Sequence, residues 1–276
     1  MPAKPAQPSE ASPRSKTAQR SKTAQRSTPA QRSGTAERST PAQRSAPAER
    51  STPAQRSGAA ERTRKVSPRE AALLLAERDP VLARLVTEAG LPSFPAPKES
   101  YFAILVRAIT YQQLAGGAAR AIHGRLIAAL GDDIAPERLL ALSDEELRAA
   151  GLSANKAASL RDLSAKVLDG TVVLDARRLA RQSDADIAER LTSVRGIGRW
   201  TAEIFLMFQL RRLDIWPTGD LGVRRGYGLA WDVPMPTAKE LDLLGEAFHP
   251  YRSVVAWYCW RAVELYAGRN ASPEGP

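Results

Sequence analysis

The chain has 276 residues, 40 Lys+Arg against 30 Asp+Glu for a net charge of +10, and a single cysteine. One thiol excludes both an internal disulfide and a cysteine-held cluster. No apolar run reaches membrane-spanning length and no apolar central region of a signal peptide is present, so no membrane partner is expected and the expected location is the cytoplasm.

Residues 1–65 contain no Phe, Trp or Tyr, and from Ser15 to Arg62 they run as eight consecutive six-residue units of the form Ser-x-x-Ala-Gln/Glu-Arg. Solenoid repeats carry apolar residues that stack from unit to unit, whereas these carry alanine alone, so a disordered tail is expected. The tail holds 14 Lys+Arg and 4 Asp+Glu, and the chain totals of 40 and 30 therefore leave 26 of each sign in residues 66–276. A high isoelectric point is the usual mark of a nucleic-acid binder; here the excess charge belongs to the tail, and the rest of the chain is formally neutral.

The remaining residues, 66–276, form the second region, long enough for one sizeable core or two small lobes. Apolar periodicity with Gly and Pro punctuation predicts helices over Pro68–Arg78, Val81–Glu88, Ser100–Gln112, Ala118–Leu130, Asp144–Gly151, Asn155–Leu168, Asp184–Val194, Arg199–Arg212, Asp220–Leu229, Thr237–Phe248 and Tyr251–Ala267. Thr171–Leu174 (TVVL) is the one strand-like run. The fold class is all-α.

Leu191–Gly222 is the most informative stretch. Arg195-Gly196-Ile197-Gly198 is a turn between two helices, and with no Cβ at either glycine its amides and the first N–H groups of the second helix can face a phosphate. A glycine-capped corner with no binding role fits the same letters, and the aspartate that follows at position 220 tips the balance. Asp is also a favoured N-cap, so Asp220, or Thr218 beside it, could simply start the helix from Leu221. With a neutral core, DNA affinity outside the tail must come from local groups: Arg195 and Arg199 at the turn, Arg211-Arg212, and Arg224-Arg225. Such pairs are also found as plain solvated charge.

These residues resemble the helix-hairpin-helix DNA glycosylase superfamily, whose signature is this hairpin, a Gly/Pro-rich loop and an aspartate. Within it the chain is most similar to the 3-methyladenine (alkylpurine) DNA glycosylases. Ala108-Ile109-Thr110-Tyr111-Gln112-Gln113-Leu114 with Ala118–Ile122 is similar to the early helix and wedge loop, and His249-Pro250-Tyr251-Arg252-Ser253 with Trp257-Tyr258-Cys259-Trp260 to the closing helix. The similarity extends over residues 66–276. It implies two helical lobes, one built from both ends of this region, with a cleft between them; the partner would be duplex DNA carrying alkylated bases, met by a nucleoid-associated monomer acting in base excision repair.

The resemblance also implies roles. Asp220 would be the catalytic carboxylate; Trp200, Trp260 and Tyr111 would line the base pocket; Arg195, Gly196, Ile197, Gly198 and Arg199 would grip the backbone. Gln112, Gln113 and Leu114 would form the wedge, with Gln113 as its tip. No cofactor is required, although the superfamily's hairpin often holds Na+ or K+ on backbone carbonyls, here those of Thr192, Val194 and Gly196. His123 and His249 are too few and too far apart to suggest a metal site. The branches with four cysteines and an iron–sulfur cluster are ruled out by the single Cys259, read as a buried apolar residue.

Cleaving an N-glycosidic bond leaves positive charge on the sugar, which a nearby carboxylate stabilises or relieves by activating water. An alkylated purine is already cationic and leaves without a dedicated acid. Bifunctional members place a Schiff-base lysine directly after the turn; this chain has Trp200 there, which predicts hydrolysis without lyase activity. Twelve of the sixteen aromatic residues, all five tryptophans among them, lie in 200–276, where indole faces could stack on a flipped cationic base. Trp231 and Trp257 are assigned to the core. Two other readings stay open: a non-catalytic DNA-structure binder, and a glycosylase for oxidised or deaminated bases.

Overall fold

The computed structural model describes residues 66–267, so the disorder expected of the repeat tail lies outside the described residues. The described chain is helical, with no strand among the described residues: α1 (Pro68–Ala76), α2 (Pro80–Ala89), α3 (Tyr101–Tyr111), α4 (Gly116–Ala129), α5 (Pro136–Ala141), α6 (Asp144–Ala149), α7 (Ala154–Leu168), α8 (Ala176–Leu179), α9 (Asp184–Thr192), α10 (Arg199–Phe208), α11 (Leu221–Trp231), α12 (Ala238–Gly245), a 3-10 turn (Glu246–Phe248) and α13 (Arg252–Tyr266). None of these helices is long and apolar enough to cross a membrane.

Local chemistry starts most of them. Ser67, Asp79, Ser100, Ser143, Ser153, Asp175, Ser183 and Thr237 each accept a first-turn N–H of the helix they precede, a contact worth about 1 kcal/mol. Proline opens α1, α2 and α5, where its missing N–H costs nothing. The periodicity missed α5 and α8, which at 6 and 4 residues are too short to show a period. Thr171–Leu174 is not a strand. Val172 instead closes α7 by donating its N–H to the Lys166 carbonyl (2.8 Å) and burying its side chain, so a β-branched residue fills a core position from a loop. The second hairpin helix stops at Phe208 rather than Arg212, because Leu210 and Arg212 donate back to the Phe205 and Leu206 carbonyls (3.2 and 3.0 Å) and Arg211 turns at φ 55°.

Two groups of helices share one continuous core. One packs α3 on α4 and on α7, with α5 and α6 also on α7; the other packs α1, α2, α11 and α13, and so joins both ends of the described chain. The hairpin pair α9 and α10 pack on each other. This is the two-lobed arrangement that the resemblance implied.

Within the second group α11 packs closely on α13 at Gly226. A Cβ added at Gly226 would lie 1.8 Å from the Cys259 carbonyl oxygen, and Cys259 itself is fully buried, as expected. In an exposed helix Gly→Ala gains roughly 0.5–1 kcal/mol. Here the helices must separate to admit a methyl group, so Gly226→Ala should instead lose about 1–3 kcal/mol or more. The urea midpoint should fall with an unchanged m value, and a raised midpoint would contradict this packing.

Candidate active site

The hairpin is pinned from three sides. Ile197 donates to the Val194 carbonyl (3.0 Å) to close the turn, and its side chain is buried at 3% exposure, so within Arg195–Arg199 it presents only its backbone to the surface. Gly196 has φ 78°, and a Cβ there would sit 2.6 Å from Ser159 Oγ, so both conformation and space require glycine. Gly198 caps α10 without a side-chain bond. The first-turn N–H groups of α10 therefore stay open at the surface, at the positive end of its dipole.

The basic residues divide. Arg195 donates to Asn155 Oδ1 (3.0 Å), and Arg199, whose side chain is 84% exposed, pairs with Glu203 at 2.8 Å. Arg212 is not a free surface charge: it meets Asp184 at 3.1 Å and the Leu179 and Gln182 carbonyls at 2.9 and 3.0 Å. Arg224 is likewise spent on the Pro236 carbonyl (2.8 Å), whereas Arg211 and Arg225 are exposed.

The closing-helix motif His249–Ser253 holds the chain that leads to Asp220. Asp214 takes Arg252 Nε and His249 Nδ1, each at 2.8 Å; Ser253 Oγ accepts the Ile215 N–H (2.8 Å) and donates to the Arg212 carbonyl (2.7 Å). Trp216 is buried, with its indole N–H on the Leu241 carbonyl at 2.8 Å. Pro217–Gly219 then turn the chain, with the Asp220 N–H returning to the Pro217 carbonyl (2.9 Å).

Asp220, not Thr218, caps α11, through Oδ1 and the Val223 N–H at 2.8 Å. The capping account is therefore right about the bond and incomplete about the residue. Oδ1 also accepts from Trp260 Nε1 at 2.9 Å, and Oδ2 accepts from Trp200 Nε1 at 2.6 Å. Gly222 leaves room for this grouping, since a Cβ there would come within 2.8 Å of the Trp260 ring and 3.0 Å of Asp220 Oδ1. Nothing in the spacing singled out Gly222. Each carboxylate oxygen has two lone-pair sites, so Oδ1 is filled and Oδ2 retains one.

A cleft of about 1000 Å³ opens beside this cluster, lined by Tyr111, Gln112 and Gln113 on one side and by Gly196, Trp200, Thr201, Ile204 and Phe205 on the other. Tyr111 and Trp200 thus share the cleft. Neither Trp260 nor Asp220 is among its lining residues: the two meet the cleft through Trp200, whose N–H is on Asp220, and Trp260 stacks on Phe208 with centroids 5.9 Å apart. Of the wedge candidates, Gln112 donates across to the Gly196 carbonyl (2.9 Å), Gln113 adopts φ 56°, and Leu114 is 37% exposed. Trp231, stacked on Tyr227 at 4.3 Å, and Trp257, edge-on to Tyr258 at 5.0 Å, pack against the core as assigned.

Glu203 is a second carboxylate that the sequence did not reveal. It is 8% exposed; burial pushes its carboxyl up, Asp220's charge adds to that, and the Arg199 partner opposes it. Its place on α10, one turn after Trp200, looks in sequence like ordinary helical polarity. The described residues contain no group of three or more His, Cys, Asp or Glu that could hold a metal. The carbonyls of Val194 and Gly196 already accept from Ile197 N–H and Gln112 Nε2. Each of these two carbonyl oxygens keeps a second lone pair.

Residues 106–248 match the family described as the HhH-GPD superfamily of base excision DNA repair proteins. DNA-3-methyladenine glycosylase 1 of Schizosaccharomyces pombe is 34% identical over 201 residues, covering 71% of this chain and 88% of its own length. A solved DNA-3-methyladenine glycosidase from Bacillus halodurans is 35% identical with a TM-score of 0.66, over 72% of this chain and 91% of that one. The S. pombe 3-methyladenine DNA glycosylase in complex with abasic DNA gives 33% identity and a TM-score of 0.62, over 71% of this chain and 98% of that one. With its hairpin, aspartate loop and helical lobes arranged as described, the chain belongs to the HhH-GPD superfamily of base excision DNA repair proteins.

Proposed function

We infer that the protein is a monofunctional DNA glycosylase that flips alkylated purines of the 3-methyladenine and 7-methylguanine type out of duplex DNA and hydrolyses their glycosidic bond. The observation that carries this reading is Asp220, gripped by two indole N–H groups beside an apolar cleft with one lone-pair site on Oδ2 still open. The names of the relatives point to 3-methyladenine as one such base.

In this reading the uncapped start of α10, with Arg195 and Arg199, holds a phosphate, and the wedge loop fills the gap left by the extruded nucleotide. The bond's electron pair leaves with the purine and neutralises its cationic ring. Asp220 Oδ2 stabilises the sugar cation, and water adds to the sugar carbon, its proton leaving through the same carboxylate. Trp200 offers a ring face to the base. A monovalent cation on the Thr192, Val194 and Gly196 carbonyls would add positive charge near the bound phosphate. We further propose that the protein acts as a monomer and that the repeat tail adds non-specific DNA affinity.

Mass spectrometry of bases released from methylated duplex DNA by the purified chain tests the assignment. Free 3-methyladenine or 7-methylguanine is expected, and borohydride should trap no covalent protein–DNA adduct. Release of oxidised or deaminated bases alone would redirect the assignment, and efficient trapping would overturn the monofunctional mechanism.

A further inference from the structure

Helix α7 presents Asn155, Ser159, Asp162 and Lys166 at the i, i+4, i+7, i+11 spacing of one helical face, and all four meet the hairpin. Asn155 Oδ1 accepts from the Arg195 side chain (3.0 Å) and Asp162 Oδ2 from the Arg195 backbone N–H (2.7 Å). Ser159 packs on Gly196, and Lys166 donates to the Ser193 carbonyl. Lys156, next to this face, reaches the opposite side of the cleft. Its ammonium donates to the carbonyls of Thr110 (2.5 Å) and Gln112 (2.8 Å), at the end of α3 and immediately before Gln113. Gln112 closes the triangle through its bond to Gly196.

Gln113 occupies the left-handed region at φ 56°, a strained conformation for a residue other than glycine that persists only where its surroundings enforce it. The two carbonyls on either side of Tyr111 would lack partners at a helix end without Lys156. We propose that Lys156 is a positioning residue that presets the Gln113–Leu114 tip for insertion into duplex DNA and locks it to the hairpin through α7, so that wedge and phosphate grip move as one body. This rests on the glycosylase reading. Burial lowers the Lys156 pKa by removing water from around the ammonium, and the carbonyl oxygens that accept from it act in the opposite direction.

A wedge matters only where a stack must be opened. Lys156→Met in the full chain should therefore slow single-turnover excision from methylated duplex by about tenfold or more, the scale of losing charge-assisted hydrogen bonds. Excision from the same methylated strand left single should be nearly unchanged. Preference for duplex with a stable abasic analogue over intact duplex should fall in parallel, a binding readout that does not need turnover, and Lys156→Arg should restore both. If the Met variant does not fold, Lys156→Gln, which keeps N–H donors but not the charge, carries the same comparison. Equal losses on duplex and single strand, or no loss on either, would overturn the positioning role. A parent protein that prefers the abasic duplex but releases no base would instead count against the glycosylase reading.

Discussion

Replacing Asp220 by Asn is expected to leave a folded, DNA-binding protein that releases alkylated bases about a hundredfold or more slowly. Fold survives because Asn is about as good an N-cap as Asp: its Oδ1 can still accept from Val223 N–H (2.8 Å) and Trp260 Nε1 (2.9 Å). Chemistry does not survive, because the negative charge is gone and Nδ2 now faces the Trp200 indole N–H where Oδ2 accepted it at 2.6 Å. Two donors cannot share that separation, so Trp200 must turn away as well. Asp220→Ala provides the contrast, losing the cap and about 1 kcal/mol of stability along with activity. Melting temperature, affinity for abasic duplex and single-turnover excision measured on one Asn preparation separate these effects. Near-normal excision would leave Asp220 with capping alone.

What could be read in the sequence was whatever the local chain dictates. The Gly196/Gly198 turn, the Asp220 cap and the amphipathic faces of the longer helices are set by residues within a few positions of one another, and the structure keeps them within a few residues of their expected bounds. What could not be read depends on partners distant in sequence. Arg212 looks like surface charge until α9 brings Asp184 to it. Glu203 looks like helix polarity until packing against distant parts of the chain buries it, and Lys156 lies 44 positions from the Gln112 carbonyl it holds. The same limit explains Trp260. Its role as a donor to Asp220, rather than a wall of the cleft, needs the room at Gly222 and the seat on Phe208, neither of which periodicity encodes.

The proposed mechanism gives Trp200 two separable tasks, and a pair of substitutions should divide them. Trp200 is 51% exposed and lines the cleft, and its indole N–H is fixed on Asp220 Oδ2. Trp200→Ala removes both the face and the donor. With stacking worth about 1–3 kcal/mol per base, excision of cationic purines should fall roughly tenfold to a hundredfold, with the loss shared between weaker capture of the flipped base and a less well-oriented carboxylate. Trp200→Phe returns an aromatic face without the N–H. If stacking dominates, Phe should recover most of the loss, seen chiefly as restored affinity for the damaged duplex. If orientation of Oδ2 dominates, Phe should bind damaged duplex well yet turn over almost as slowly as Ala. Both variants should keep the parental fold, because an exposed indole contributes little to the core. Parental excision by Trp200→Ala would remove this residue from the base pocket and from the support of Asp220 together.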